Sequence, residues 1–375
     1  MKKIALIIPM LQPYRVKLYE RLIDSTKDKY EWCIFHGVKD FDDARPAFEG
    51  VVKFKTNSYI TKAKRFGPLS IMLQNYLYRD LKKYDPDIII VNANAGEVDS
   101  RRVAYWAEKN NRKLILWVCS WDSNRAKGLF RFIKRKLTKI YYKRGDRFLA
   151  YSSHAASFIE RFGIPSNKIT VAYNGLDIDE LENKRDYVAI ESKKIKAELN
   201  PENRTVFLYV GGLIPMKLPL LLVDSFMKLN KENENVELWI IGDGPLMNEL
   251  EDKVSNSSNI KCFGRIVEDV DKYFAAADWF ILPGAGGLAL NQSMYWKTPC
   301  ICSVADGTEA DLVFDNINGY RFHEKDSDSL YLVMKKAVNT SSVKKETMGS
   351  ISKYLIENRS NTDTMFHAFI DSIEN

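Results

Sequence analysis

The amino-acid sequence predicts two doubly wound α/β domains in series, and three observations support this fold class. The chain has 375 residues, which exceeds the size at which a single hydrophobic core usually keeps growing. Short apolar runs alternate with amphipathic helical patterns, as expected of parallel strands that are covered on both faces. The alternation occurs as two series, and a stretch rich in turn residues at 172–186 separates them.

The first series occupies residues 1–178. Its first apolar run, Ile4–Met10, is interpreted as a strand rather than a signal peptide, because it is short and no small-residue cleavage site follows. No run approaches the roughly 20 apolar residues of a membrane span. Helical patterns occur between the strands, for example at 13–24 and 68–84. The predicted strands are 3–9, 30–36, 86–92, 113–119 and 147–152.

The second series occupies residues 179–355, and helical patterns fit between most of its strands. The tail at 361–373 has the pattern of one more amphipathic helix. We predict that the C-terminal segment 356–375 packs back on the first domain. The predicted strands of the second series are 205–212, 236–245, 260–265, 278–284, 299–304 and 319–322.

The charge of the chain is divided unequally between these two halves. Residues 1–178 carry 34 Lys and Arg against 18 Asp and Glu, which leaves 22 bases and 31 acids in the rest of the chain. A basic half joined to an acidic half indicates that the first half meets a polyanion, either a membrane surface or nucleic acid.

Glycine-rich loops that suit a phosphate group follow the strands of the second series, where ligands of such sheets bind. The first loop supplies Gly211, Gly212 and Lys217. Its glycines let backbone N–H groups approach an anion, and the lysine adds a charge. The stretch 283–294 is a glycine-rich turn that opens a helix, whose first N–H groups favour phosphate. Each loop alone also fits a plain structural turn, but their order on one sheet favours a ligand site.

The order of these motifs resembles that of the family 4 glycosyltransferases of GT-B architecture, over nearly the whole chain. The resemblance implies two Rossmann-like domains that face a central cleft, with a donor site on the C-terminal domain and an acceptor site on the N-terminal domain. It also implies transfer of a sugar from a UDP-, GDP- or dTDP-linked donor, with retention of configuration and without a metal or other cofactor. The matching motifs are YNGLD at 173–177, VGGL before Lys217, GDGP at 242–245, FGR at 263–265 and GLALNQSMYWKTPCI at 287–301.

The resemblance assigns roles to residues of the second domain. Lys217 would stabilise charge on the leaving phosphate, and Gln292 would hydrogen-bond the ribose. The family's glutamate pair aligns with Gly284 and Gln292 and its arginine with Gly212, so three polar side chains are absent or changed. Glu309 would either replace a lost sugar or ribose contact or complement its own helix N-terminus. The predicted donor-binding residues are Gly211, Gly212, Gly242, Arg265, Gly286, Gly287, Leu288, Ala289 and Gln292.

The first domain offers three candidate residues for the acceptor. Arg15 follows the first strand in a segment, PYRVKLYERL, that resembles a subgroup of the family. It is predicted to contact a donor or acceptor phosphate, with a surface salt bridge as the alternative. Asp122 would orient an acceptor hydroxyl and Trp121 would stack on a sugar, unless the two residues only form a loop turn.

A strongly basic helix is predicted within 125–147, which contains ten Lys and Arg and a single acid. Arg131, Arg135 and Lys139 lie four residues apart on one face. A solvated face is the simplest interpretation of such a run, but a basic amphipathic helix is also typical of binding to an anionic membrane. No nucleic-acid motif accompanies the charge, so we expect a membrane rather than nucleic acid.

Together these patterns predict a retaining, metal-independent glycosyltransferase that uses a lipid-linked or glycan acceptor in the synthesis of a bacterial surface polysaccharide. The five cysteines have neither zinc nor redox spacing, which favours a reducing cytoplasm. The expected location is therefore the inner face of the plasma membrane, as a peripheral protein. The alternative is a non-catalytic scaffold with a glycosyltransferase fold, because the glutamate pair is altered.

Overall fold

The computed structural model of the protein describes residues 1–38, 48, 50–66, 69–74, 76–93, 98–119, 128–303 and 307–375. For 61–66, 69–74, 128–131 and 133 it describes the backbone alone. The chain divides into two compact units. The first comprises Met1–Tyr173 and Asp363–Asn375, and the second comprises Asn174–Thr362.

Most strands of the described chain are short and apolar, and each belongs to one of two sheets. The strands are β1 (Lys2–Ile8), β2 (Tyr30–Val38), β3 (Thr56–Phe66), β4 (Leu69–Gln74), β5 (Ile88–Asn92), β6 (Lys113–Val118), β7 (Arg147–Ala150), β8 (Ile169–Val171), β9 (Thr205–Val210), β10 (Val236–Ile241), β11 (Ile260–Cys262), β12 (Trp279–Leu282), β13 (Cys300–Cys302) and β14 (Gly319–Arg321).

The helices of the described chain connect these strands and cover the sheets. They are α1 (Pro13–Thr26), α2 (Leu77–Tyr84), α3 (Val98–Lys109), α4 (Gly128–Tyr142), α5 (Ser153–Glu160), α6 (Ile178–Asn183), α7 (Arg185–Leu199), α8 (Pro219–Glu232), α9 (Met247–Val254), α10 (Asp271–Ala276), α11 (Leu288–Tyr295), α12 (Thr308–Leu312), α13 (Ser327–Val338), α14 (Ser342–Arg359) and α15 (Thr362–Glu374).

The first unit contains, within its described residues, a sheet in the order β4-β3-β2-β1-β5-β6-β7-β8. Its pairs are parallel, except that β3 and β4 pair antiparallel at one edge. Side chains of α1 and α15 pack on one face of this sheet. Side chains of α2, α3, α4 and α5 pack on the other face.

The second unit contains, among the residues described, a fully parallel sheet in the order β11-β10-β9-β12-β13-β14. Helices cover both of its faces: α8 and α13 contribute to one core, and α10, α11 and α14 contribute to the other. The predicted fold class, two doubly wound α/β domains, is thereby confirmed.

The sequence prediction differs from the structure at the edges of the first sheet. The helix predicted over 68–84 is wrong in its first half, because Leu69–Gln74 pairs with β3 as a strand and only Leu77–Tyr84 is helical. Tyr76, between the two elements, adopts a left-handed conformation with φ of 69°. β3 and β8 were not predicted, because β3 is polar and β8 has only three residues, so neither has the apolar run that marks a central strand. β4 lies within the segment that was predicted as a helix.

The YNGLD motif marks a close backbone crossing in the second unit. A Cβ atom on Gly175 would collide with the backbone of Asn361, so only glycine fits there. Leu176 and Asn361 form an isolated parallel bridge, and the Thr362 N–H donates to the Leu176 carbonyl at 2.9 Å. The crossing joins the first residues of the second unit to its last ones.

Candidate functional site

Two loops meet at the topological switch point of the second sheet. β9 pairs with β10 on one side and with β12 on the other, so the strand order reverses between β9 and β12. In sheets of this type, ligands bind outside the carboxyl ends of the strands at the switch point. The N–H of Ala285, after β12, donates to the carbonyl of Met216, after β9, at 3.0 Å. The two loops are therefore held together where a ligand is expected.

Lys217 brings a positive charge to these loops. Its half-buried side chain places Nζ 3.2 Å from the point where a Cβ on Gly211 would stand, and 3.7 Å from the corresponding point on Gly287. Gly287 precedes α11, and no side chain of the described chain caps that helix. The ammonium and the first N–H groups of α11, from Leu288 and Ala289, thus lie at one place. This arrangement suits a phosphate group.

Tyr209 supports the first loop and was not predicted from the sequence. It is 1% exposed, and its hydroxyl donates to the Gly212 carbonyl at 2.9 Å. The same hydroxyl lies 3.2 Å from the Cβ position of Gly211. A tyrosine within a buried strand looks like an ordinary core residue, so no sequence signal distinguishes it.

The two glycines that align with charged residues of the resembled family differ in the room around them. A Cβ on Gly284 would lie 2.5 Å from the Met216 carbonyl oxygen and 2.8 Å from the Lys217 carbonyl carbon. A Cβ on Gly212 would meet only the Asp243 carbonyl oxygen, at 3.9 Å. With this backbone, a side chain fits at 212 but not at 284. Gly286, two residues before α11, is half-buried.

Gln292 is held by a buried carboxylate that the sequence analysis missed. Its Nε2 donates to Asp271 Oδ1 at 2.6 Å, and Trp296 Nε1 donates to the same oxygen at 2.7 Å. Asp271 is 4% exposed and is the first residue of α10. The predicted contact between Gln292 and a ribose stays a prediction, and the amide that would make it is already oriented by a protein partner.

The neighbouring loops continue the site along the same edge of the sheet. The Gly211 N–H donates to the Ile241 carbonyl at 3.0 Å, and the Gly242 N–H donates to the Gly264 carbonyl at 2.8 Å. Arg265 follows Gly264 and is exposed. The ends of β9, β10 and β11 are thereby connected by backbone hydrogen bonds, and the predicted donor-binding loops lie side by side.

Glu309 is fully buried at the start of α12. Its Oε2 accepts a hydrogen bond from the Gly307 N–H at 3.0 Å. This contact matches the local alternative considered for Glu309, in which the carboxylate complements its own helix N-terminus. Residues 304–306, which precede Gly307, lie outside the described part of the chain.

Of the three acceptor candidates in the first unit, only Arg15 is described. Its guanidinium is buried, with 6% of the residue exposed. It lies 4.9 Å from the centre of the Trp117 ring, and Nη1 is 2.7 Å from the sulfur of Met365 on α15. Trp121 and Asp122 lie outside the described residues.

α4 exposes apolar and basic side chains together. Phe132, Leu137 and Ile140 are 66%, 43% and 45% exposed, whereas Thr138 and Tyr141 are buried. Leu137 and Ile140 therefore lie outside the core, whereas Tyr141 is part of it. The side chain of Arg131 is outside the described part. The exposed bases of the helix and the residue after it are Lys134, Arg135, Lys136, Lys139 and Lys143.

The described residues contain neither a metal cluster nor a membrane-spanning helix. No group of three or more His, Cys, Asp or Glu side chains there is arranged to hold a metal ion. None of the helices there has the length and apolar character needed to cross a membrane. All five cysteines are free thiols, and burial raises the pKa of Cys33 to about 11 and that of Cys300 to about 12. Those two thiols are therefore poor nucleophiles at neutral pH.

Two protein-family models match the chain. The model for glycosyl transferases group 1 matches residues 191–354, and the model for glycosyltransferase family 4 matches residues 35–180. Among curated proteins, the UDP-Gal:α-D-GlcNAc-diphosphoundecaprenol α-1,3-galactosyltransferase of Escherichia coli is 27% identical over 219 residues, which are 53% of this chain and 55% of that protein. The chain spans about half the length of the curated relatives it matches.

Solved structures match over the whole chain. HepE of Anabaena, crystallised with UDP, matches with a TM-score of 0.74 at 16% identity, and the match covers all of both chains. The lipopolysaccharide outer core galactosyltransferase WaaB has a TM-score of 0.66 at 17% identity, over 99% of both chains. At these identities the likeness establishes the fold.

Proposed function

Since the chain belongs to the group 1 and family 4 glycosyltransferases and has their GT-B fold, we propose that it transfers a sugar from a nucleotide sugar, with retention of configuration. The observation that carries this proposal is the position of the Lys217 ammonium between Gly211 and Gly287, at the start of α11. A fixed positive charge and oriented N–H groups at one place suit the diphosphate of a nucleotide sugar.

The proposed reaction needs no protein base. The bond between the anomeric carbon and the phosphate oxygen breaks, the acceptor oxygen bonds to that carbon from the same face, and the departing phosphate accepts the acceptor's proton. Negative charge then develops on the phosphate, where Lys217 and the first N–H groups of α11 stabilise it. The described residues around Lys217 would supply electrostatic stabilisation and position the donor.

We propose a UDP-linked sugar as the donor. HepE was crystallised with UDP, and the galactosyltransferase of Escherichia coli is named for a UDP-linked sugar. GDP- and dTDP-linked sugars are the competing donors. In this proposal Gly211, Gly242, Arg265, Gly286 and Gln292 lie along the donor.

The acceptor is proposed to be a lipid-linked or other glycan used in the synthesis of a bacterial surface polysaccharide. The name of the Escherichia coli relative gives its acceptor as a sugar on diphosphoundecaprenol. On this chain, α4 and the residue after it expose five bases beside Phe132, Leu137 and Ile140. Such a face suits the surface of an anionic bilayer. We propose that the protein is cytoplasmic and binds the inner face of the plasma membrane peripherally, with Arg15, Trp121 and Asp122 on the acceptor side.

A second candidate function is a non-catalytic scaffold with the same fold. It is favoured by Gly284, where the backbone of Met216 and Lys217 leaves no room for a glutamate side chain. A scaffold can retain the fold without binding a donor.

A thermal-shift screen of the full chain with UDP, GDP, dTDP and their sugars distinguishes the two functions. Binding of a ligand to the folded state raises the melting temperature. We expect UDP and a UDP-sugar to stabilise the protein. We also expect the protein to hydrolyse the UDP-sugar slowly, with release of UDP. If none of the nucleotides shifts the melting temperature, the enzyme proposal fails and the scaffold remains.

A further inference from the structure

A buried carboxylate and two donors form a compact hydrogen-bonded group behind α11. Asp271 Oδ1 accepts from Gln292 Nε2 at 2.6 Å and from Trp296 Nε1 at 2.7 Å. The donors are four residues apart and therefore lie on one face of the helix. The other carboxylate oxygen, Oδ2, is 3.9 Å from Nζ of Lys184.

The carboxylate determines which way the Gln292 amide points. An ionised carboxylate only accepts hydrogen bonds, so the end of the amide that faces it must be the NH₂ group. The carbonyl oxygen Oε1 is then directed away from Asp271. Within the described residues, Oε1 has no hydrogen-bond donor from the protein, and Gln292 is only half-buried.

Gln292 lies a suitable distance from the proposed phosphate position. It is four residues beyond Leu288, the first residue of α11, which is roughly 6 Å along the helix axis. In a nucleoside diphosphate the ribose directly follows the diphosphate. A diphosphate at the start of α11 therefore allows the ribose to lie beside the second turn of the helix, at Gln292.

We infer that Asp271 is a positioning residue, which orients Gln292 so that Oε1 accepts a hydrogen bond from a ribose hydroxyl of the donor nucleotide. The inference rests on the proposed function. Asp271 itself does not touch the nucleotide. Its negative charge polarises the amide and strengthens Oε1 as an acceptor, because linked hydrogen bonds reinforce one another in a low-dielectric site.

The test compares binding of UDP with binding of 2′,3′-dideoxy-UDP, which lacks both ribose hydroxyls. The ratio of the two dissociation constants measures ribose recognition separately from phosphate binding. In Asp271→Asn the charge is lost and the amide pair has two possible orientations. We expect UDP affinity to fall about fivefold, the difference between a charged and a neutral hydrogen bond. Affinity for dideoxy-UDP should be unchanged.

A double variant that exchanges the carboxylate at 271 and the amide at 292 tests whether ribose recognition can be restored. Gln292→Glu alone places two carboxylates within hydrogen-bond distance, so it should lower the melting temperature at pH 8 and lower it less at pH 5, where one of them is protonated. In the double variant Asp271→Asn with Gln292→Glu, the new amide donates to the new carboxylate. The double variant should recover the melting temperature at pH 8 and the preference for UDP. If Asp271 served only the packing of α11, the double variant would not recover the preference for UDP over dideoxy-UDP.

Tyr295→Phe is the matched control on the same helix. It removes the hydrogen bond from the Tyr295 hydroxyl to Glu182, which is 2.7 Å long, and should leave the UDP preference unchanged. If Asp271→Asn keeps the full preference, or if the double variant folds without recovering it, the inference is overturned. If Asp271→Asn does not fold, the double variant decides alone. If wild-type protein binds no nucleotide at all, the proposed function fails instead.

Discussion

Lys217 is the residue on which the proposed chemistry depends most. Lys217→Ala removes the ammonium between Gly211 and Gly287, and turnover at saturating donor should fall by roughly 100-fold, the scale for one preorganised stabilising group. The measurement is initial-rate UDP release with an acceptor or water. Lys231→Ala, at an exposed lysine near the end of α8, is the control and should keep full turnover. Unchanged turnover in Lys217→Ala would remove Lys217 from the mechanism.

Gly284 has no Cβ, which lets its loop lie directly against the backbone of Met216 and Lys217. Gly284→Ala would force the backbone of Met216 and Lys217 to move, since the added carbon would lie 2.5 Å from the Met216 carbonyl oxygen. We expect a loss of about 1–3 kcal/mol in the free energy of unfolding, as for other overpacked sites, and weaker UDP binding because Lys217 shifts.

Gly212→Ala is the matched control for Gly284→Ala. Its Cβ would meet a single atom at 3.9 Å, so stability and UDP affinity should remain close to those of the wild type. Urea unfolding and calorimetry measure the two quantities. If both variants behave alike, the loop contact between 216–217 and 284 does not organise the site.

At the scale of secondary-structure elements, α4 is distinguished by what it exposes. Its side chains at 132, 137 and 140 are apolar and exposed, and exposed bases lie between and after them. An ordinary solvated helix carries charges alone on its outer face. Near an anionic leaflet each base contributes about 1 kcal/mol to binding.

Charge reversal on α4 tests the membrane proposal. Arg135→Glu with Lys139→Glu should abolish binding to phosphatidylserine vesicles at low salt, and leave UDP affinity intact. Binding of the wild type should weaken as added salt screens the charges. The control reverses Lys193 and Lys194 on α7, which are also exposed, and should still bind vesicles. A wild-type protein that ignores these vesicles at low salt would show that α4 is only a solvated helix.

At the scale of the whole molecule, Asp278 connects three elements of the second unit. Its carboxylate forms ion pairs with Lys196 of α7, at 3.3 Å, and with Lys345 of α14. It also accepts from the Val206 N–H of β9 at 3.0 Å. Burial alone would raise the pKa of Asp278, but the two lysines and the N–H group hold it below its ordinary value.

Because the folded state lowers this pKa, the stabilisation is present at neutral pH and is lost as the pH falls through the folded-state pKa. Asp278→Asn should therefore lower the free energy of unfolding by about 2 kcal/mol at pH 7, since it removes the charged partner of two half-buried lysines. The difference from the wild type should shrink below about pH 4. Asp224→Asn, in an exposed pair with Lys253, is the control and should change little. If the loss of stability in Asp278→Asn did not depend on pH, the lowered pKa of Asp278 would be contradicted.

We predict that sugar transfer by this protein needs no metal ion. The sequence has no Asp-x-Asp or His–carboxylate group directly at the carboxyl end of a predicted strand. The proposed charge stabilisation comes from Lys217 and N–H groups. Turnover should persist in excess EDTA. A loss that magnesium or manganese restores would overturn the metal-independent mechanism.

Local sequence patterns predict the two doubly wound sheets and the order of their strand-end loops. Strands buried on both faces, such as β1, β9 and β12, need continuous apolar runs, and the loops after them need glycines, so both are visible locally. The polar strand β3 and the short edge strand β8 lack such an apolar run.

Which of the loop residues act together depends on contacts that form in the folded chain. Lys217 and Gly287 are seventy residues apart in the chain, and Asp271 and Gln292 are twenty-one residues apart. Parallel strands bring such positions to one edge of a sheet, and side-chain geometry then selects the partners. Asp271 looks like any acidic residue at the start of a helix, and Gly284 like any turn glycine. Their roles arise from contacts between elements, which no local pattern of residues contains.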